Sequence, residues 1–165
     1  MLDSDGAYRE ALFFRIPVET SGLLSPKFNA PPTEVEECRR RQEFLLKGGL
    51  KILTPLEIWE ANVQFHETLA QWSGNRFILQ AVRRLARLQA LVGFRQAGTP
   101  ANTPMYQKRS FEEHLVILGL IGKREFGSAA TMMRRHLEAA QQRTPFGEST
   151  RVSRNSRESA GSHSS

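Results

Sequence analysis

The stretch that decides the fold is Pro55-Leu-Glu-Ile-Trp-Glu-Ala-Asn-Val-Gln-Phe-His-Glu-Thr-Leu-Ala-Gln-Trp-Ser-Gly-Asn75. At about 100° per residue its apolar side chains fall on one face, which predicts an amphipathic helix. Asn62 and His66 lie on that same face, one turn apart. Burying an amide and an imidazole costs on the order of 1–3 kcal/mol each unless they find hydrogen-bonding partners. The rest of the chain must therefore supply partners for both side chains.

The remaining sequence is divided by helix signals, without a strand pattern or an internal repeat. Thr54-Pro-Leu-Glu57 starts the central helix with a capping box and a proline at the first helical position. We expect five other helices: one beginning between Tyr8 and Val18 and ending near Leu24, one capped by Thr33-Glu-Val-Glu36 and ending at Gly48-Gly49, one over 76–96, one capped by Ser110-Phe-Glu-Glu113 and ending near Gly122, and one over 125–142. Residues 98–109 are expected to form a loop.

The predicted architecture is an all-α, antiparallel bundle of about six helices over residues 8–142. Residues 1–7 are expected to be a frayed N-terminus. Ser, Arg, Gly and Glu dominate residues 143–165 without apolar periodicity, which is typical of a disordered tail. The 165-residue chain is therefore predicted to hold one folded domain.

The composition is that of a protein in the aqueous phase. No apolar run approaches the roughly 18 residues of a membrane span, and no secretory signal is visible. The single cysteine, Cys38, cannot form an internal disulfide, so a reducing cytoplasm is expected. The net charge of +6 is spread over arginines on separate predicted helices, which does not indicate a nucleic-acid recognition element.

Every histidine before the tail is predicted to point into the bundle. His114 shares a helical face with Phe111 and Ile117, and His136 shares one with Met133. Imidazoles cannot pack together in an apolar core without a donor or acceptor for each ring, and a divalent cation can serve as their common partner. With Asn62 and His66 four residues apart, three nitrogens and one oxygen favour Zn, Ni, Fe, Mn or Co over Ca or Mg.

Three short motifs also resemble a known family. Asn62-x-x-Phe-His66 followed by Ser-Gly-Asn75, then Glu113-His114-x-x-Ile-Leu118, then Met133-Arg-x-His136-Leu137 resemble the FCD domain. This is the all-helical ligand-sensing domain of FadR-type regulators within the GntR family. The resemblance extends to Arg15-x-x-x-Glu19 in the first helix and covers roughly residues 8–142. It implies a homodimer whose contact with DNA responds to a small organic acid.

The resemblance also implies site residues. The metal ligands would be Asn62, His66, His114 and His136. Arg15 matches an arginine that faces the effector carboxylate in some members. Gln89, in the apolar face of its helix, is a second candidate for effector contact; the alternative is a core amide that bonds to a neighbouring helix. The family more often has Asp at position 62. The neutral amide should weaken metal binding and strengthen attraction for an anionic effector.

Two further expectations concern what surrounds this domain and what else the site could do. Family members carry a winged-helix DNA-binding domain before this region, and no helix-turn-helix candidate precedes the first helix here. The chain is expected to be a truncated regulator, a fragment or a freestanding sensor, with DNA bound only through a winged-helix domain. The alternatives are a metal-dependent hydrolase and a bundle without metal. The hydrolase is disfavoured because Glu67 and Glu113, next to ligands in sequence, are predicted to point away from the site.

Overall fold

The computed structural model describes residues 4–93 and 104–142, and these residues form an all-α bundle without strands. The helices are α1 (Ser4–Leu23), α2 (Pro32–Phe44), α3 (Leu50–Ile52), α4 (Pro55–Trp72), α5 (Arg76–Gly93), α6 (Pro104–Gly122) and α7 (Phe126–Gln142). Six of these are long, which confirms the predicted fold class. None of the described helices is long and apolar enough to cross a membrane. The predicted tail at 143–165 lies outside the described residues.

Helix α4 begins and ends where its sequence predicts. The Glu57 amide donates to Thr54 Oγ1 (3.3 Å) and the Thr54 amide donates to Glu57 Oε2 (2.8 Å), which completes the capping box. After the helix, Gly74 has a φ of 65°, and a Cβ at this position would lie 2.9 Å from Lys27 Cβ. A glycine is therefore required there by both conformation and space.

Three other predicted helix starts are wrong. Helix α1 begins at Ser4 and continues through Pro17, whose exposed position places the lost backbone hydrogen bond at the solvent side. Helix α2 begins at Pro32, and its N-cap makes no side-chain hydrogen bond, so the Thr33 capping box does not form. Helix α6 begins at Pro104, which places Ser110 inside the helix and makes 104–109 helical rather than loop. At both α2 and α6 a proline takes the first helical position.

The end of α2 also differs from its prediction. Helix α2 ends at Phe44 and is followed by a π-helical turn over Leu45–Gly49 that leads into α3. Gly48 in this turn has a φ of 143°, and a Cβ on Gly49 would lie 2.9 Å from Phe44 Cε1. The two glycines therefore permit the turn and the close approach of the Phe44 ring.

The core places the polar residues of α4, α6 and α7 together. Helix α1 packs against α4, α5 and α7, while α6 packs against α2 and α7. The main apolar cluster consists of Ile16, Leu23, Cys38, Phe65, Leu69, Trp72, Ile117, Leu118, Ile121, Ala129, Ala130, Met133 and Leu137. His66, His114 and His136 are buried in the same interior, at 3%, 0% and 2% exposure.

Candidate metal centre

Three histidines from three helices converge in the bundle. His66 on α4, His114 on α6 and His136 on α7 each offer a ring nitrogen, and these nitrogens lie within 4.8 Å of one another. The prediction that all three rings point into the bundle is confirmed. Since none of the three side chains is more than 3% exposed, their hydrogen bonds must come from the protein or from something bound between them.

Each ring is held from outside by a different polar side chain. The Nδ1 atoms of His66, His114 and His136 lie 2.5 Å from Glu19 Oε2, 3.0 Å from Gln42 Oε1 and 2.7 Å from Glu113 Oε2, respectively. Because all three partners are oxygen acceptors, each Nδ1 carries the proton and donates it. The lone pair of each neutral ring is then on Nε2, which is the arrangement that outer carboxylates and amides impose on metal-binding histidines.

The inner nitrogens of two rings face each other. His114 Nε2 lies 3.3 Å from His136 Nε2, and both are acceptors when Nδ1 is protonated. Burial, together with the neighbouring histidines and Arg15, lowers the pKa of His114 well below 6.5, so the His114 ring is neutral and its Nε2 carries no proton. Two lone pairs in a dry interior need a shared electrophile. The donor set is suited to a metal cation.

The His114 ring is also held by aromatic neighbours. Phe65 stacks on it with ring centroids 3.7 Å apart and an angle of 10° between the planes. Phe111 contacts it edge to face at 5.4 Å. Aromatic pairs of this kind contribute roughly 0.5–1.5 kcal/mol beyond the burial of their surface. With Gln42 on its Nδ1, the ring is fixed in orientation from several sides.

His66 is hydrogen-bonded to a buried ion pair. Arg15 Nε donates to Glu19 Oε1 at 2.6 Å, and Arg15 Nη1 donates to Gln89 Oε1 at 3.1 Å. Burial alone would raise the pKa of Glu19, but Arg15 and His66 lower it to about 2. Burial lowers the pKa of His66 to about 4, although Glu19 opposes this shift. At neutral pH, Arg15 and Glu19 therefore form a buried ion pair, and the His66 imidazole beside them is neutral.

The residues predicted from the sequence fall into two groups in the structure. His66, His114 and His136 come together, and Asn62 lies half-buried one turn before His66 on α4. The Asn62 amide has no hydrogen-bond partner among the described residues. Arg15 and Gln89 are bonded to each other and reach the histidines only through Glu19. The roles of His66, His114, His136 and Asn62 as metal ligands stay predictions. The roles of Arg15 and Gln89 in effector contact stay predictions as well.

Three outer residues, Glu19, Gln42 and Glu113, were not identified as partners of the histidines. The prediction that Glu113 points away from the site is wrong, because its carboxylate lies 2.7 Å from His136 Nδ1. Glu67 does turn outward and pairs with Arg83 at 3.1 Å. The angular position of a Cα does not account for the reach of a glutamate side chain toward a neighbouring helix. The sequence did contain a signal for two of these partners, because Glu19 and Gln42 are polar residues in the buried face of a helix.

Comparison with known proteins gives one match. The family model described as the FCD domain matches residues 33–139, which is more than half of the chain and includes Asn62 and all three buried histidines. No curated protein and no solved structure matches the chain.

Proposed function

The chain belongs to the FCD domain family, the ligand-sensing domains of GntR-type transcription regulators, and from that premise we propose that it is a metal-dependent sensor of a small organic acid. The observation that carries the proposal is the outward tethering of three Nδ1 atoms, which leaves three buried Nε2 atoms to share one partner. A cation of Zn, Ni, Fe, Mn or Co suits such nitrogen donors.

Four side chains would hold the metal. His66, His114 and His136 would bind through Nε2, and Asn62 would add an amide oxygen from the same face of α4. A bound transition metal supplies a Lewis acid to which a carboxylate of an effector can coordinate. The unpaired Asn62 amide, one turn from His66, supports its inclusion. Its neutral oxygen is a weaker donor than the aspartate more common in the family.

The charges around the histidines favour an anionic effector. Glu19 is paired with Arg15 at 2.6 Å, and Glu113 is paired with Arg109 at 3.2 Å. All four proposed ligands are neutral when bound. None of these ligands would therefore offset the positive charge of a divalent cation. The negative charge of an effector carboxylate would offset it. Arg15 would face that carboxylate, with Gln89 holding the guanidinium from α5.

The sensor would act by shifting the population of conformations rather than by catalysis. Glu19 and Glu113 each accept a hydrogen bond from a histidine, which supports a role in orienting ligands rather than in general base catalysis. The family membership also supports a homodimer, contact with DNA through a winged-helix domain, and a cytoplasmic location, all of which we include in the proposal.

Thermal-shift measurements test this function. A panel of mono-, di- and tricarboxylic acids is added to chelator-treated protein with and without Zn or Ni. We expect at least one acid to raise the melting temperature only when metal is present, because ligand binding to the folded state stabilises it. If every acid that stabilises the wild type also stabilised a His114→Ala variant unable to bind metal, metal-mediated recognition would be refuted.

A further inference from the structure

A cavity of about 600 Å³ lies between α2 and α4, and none of the predicted site residues lines it. Its volume falls within the roughly 300–1,000 Å³ of typical small-molecule sites. The accessible wall surface is mainly apolar, although polar and charged side chains make up half of the lining residues. The residues that matter here are Arg40, Gln42, Phe44, Leu45, Phe65 and Thr68.

Two of these wall residues also contact the histidine cluster. Gln42 is 2% exposed and accepts from His114 Nδ1, and Phe65 is 1% exposed and stacks on the His114 ring. No histidine lines the cavity itself. The cavity therefore adjoins the candidate metal centre while Gln42 and Phe65 separate the two spaces.

The cavity carries one uncompensated positive charge. Arg40 and Arg41 both line it, and Arg41 forms an ion pair with Glu37, another lining residue. Arg40 is exposed and has no ion-pair partner among the described residues. A cation at the mouth of an apolar cavity complements a ligand with an apolar body and an anionic end.

The rim of the cavity is aromatic and depends on an unusual backbone. Phe44 is 53% exposed and lies on the rim, where its ring packs against the Cα of Gly49. The π-helical turn at Leu45–Gly49 and the positive φ of Gly48 allow this position. The exposed Phe44 ring provides a surface for an aromatic ligand.

We propose that this cavity is a second ligand site, which takes an aryl carboxylate with its ring against the exposed Phe44 ring and its carboxylate at Arg40. The site does not depend on the metal centre. Its occupation would reach the centre through Gln42 and Phe65, and this coupling rests on the function proposed above.

Binding of 2-naphthoate to the chelator-treated full chain, measured by calorimetry, tests the proposal. We expect saturable binding of one equivalent without metal, and weaker binding of the neutral 2-naphthalenemethanol. Arg40→Glu should weaken 2-naphthoate binding about tenfold or more, as expected for loss of a charge-assisted contact. The matched control Arg84→Glu, on α5 and away from the cavity, should leave the affinity unchanged.

A cavity-filling variant provides a second test. Thr68 is half-buried, lines the cavity, and its hydroxyl bonds only to the Gln64 carbonyl of its own helix. Thr68→Phe should abolish 2-naphthoate binding while metal uptake and the helical circular dichroism remain. Absence of binding to the folded wild type, or binding unaffected by both Arg40→Glu and Thr68→Phe, would overturn the proposal.

The outcome also separates this site from the metal centre. Binding of 2-naphthoate that requires metal and disappears in His114→Ala would place the ligand at the histidines, which overturns the second site and supports the sensor function. Retention of 2-naphthoate binding in His114→Ala would support the second site, whereas failure of the folded wild type to take up metal would contradict the sensor function and leave the second site unaffected.

Discussion

The Nε2 atoms of His114 and His136 face each other at 3.3 Å in the interior of the bundle. Their Nδ1 atoms are turned outward to Gln42 and Glu113, so neither inner nitrogen carries the donated proton. An apolar packing role does not account for two opposed acceptors, because buried polar atoms without partners are destabilising. This pair is the strongest indication in the described residues that the bundle binds a cation.

Metal-free protein should lose stability in mild acid. The pKa of His66 is lowered from 6.5 to about 4 and that of His114 is also lowered, so the unfolded chain takes up these protons first as pH falls. The contributions of the neutral His66 and His114 rings to the unfolding free energy are complete above pH 6.5 and decline below it. Each proton difference removes about 1.4 kcal/mol of unfolding free energy per pH unit.

Urea unfolding of chelator-treated protein between about pH 7.5 and about pH 5.5 measures this effect. Lowering the pKa of Glu19 from 4.5 to about 2 gives a stabilising contribution that is complete above pH 4.5 and is lost only below it, so it stays constant within this window. An unfolding free energy that stayed constant below pH 6.5 would show that His66 and His114 are not buried as neutral rings.

The outer carboxylate of His136 should control metal affinity. Glu113→Gln removes the charge that orients the His136 ring, and loss of such a partner typically lowers metal affinity about 10–100-fold. Glu112→Gln is a matched control, because Glu112 is adjacent, is exposed and forms a similar ion pair one helical turn away with Lys108. Competition titration with a chromogenic chelator compares the two. Equal affinities would remove Glu113 from the site.

The buried Arg15 should be important for folding. Arg15→Met leaves the Glu19 carboxylate without its counterion in the core, and breaking a buried ion pair costs about 3–5 kcal/mol. Arg39→Met is the control, since Arg39 pairs with Glu36 on the surface, where solvent screens the interaction and its loss should have little effect. Urea unfolding measures both. Similar losses in the two variants would indicate that Arg15 and Glu19 are not a buried pair.

Asn62→Asp should tighten metal binding several-fold. A carboxylate is a stronger oxygen donor than an amide and adds a negative charge next to the cation. Asn75→Asp is the control, because Asn75 Oδ1 accepts the Phe77 amide at 2.9 Å in a helix cap that an aspartate can replace. The chelator competition should show a change only at position 62. No tightening would argue against Asn62 as a ligand.

Local signals predicted the elements that local interactions control. The Thr54 capping box and the faces of His66, His114 and His136 depend on residues within one helix, and both predictions are confirmed. The capping box at Ser110 was wrong although its residues fit the motif, because good helix formers before it extend α6 back to Pro104. A capping motif inside a helical segment has no free amides to satisfy.

The outer partners of the histidines could not be predicted in the same way. Glu19 and His66 are 47 residues apart, and Gln42 and His114 are 72 apart, so only the packing of helices brings them together. Their pairing depends on the angles at which the helices cross and on how far each side chain extends. Helical periodicity in the sequence gives neither quantity. The sequence therefore predicted that the histidines needed partners without identifying which residues orient them.

Metal stoichiometry tests the central claim most directly. Purified protein is reconstituted with Zn or Ni, separated from free metal by gel filtration, and analysed by plasma mass spectrometry. The wild type should retain close to one ion per chain, and a folded variant with His66, His114 and His136 all replaced by Ala should retain none. A folded wild type that retains no metal after reconstitution would contradict the assignment of the three histidines as a metal centre.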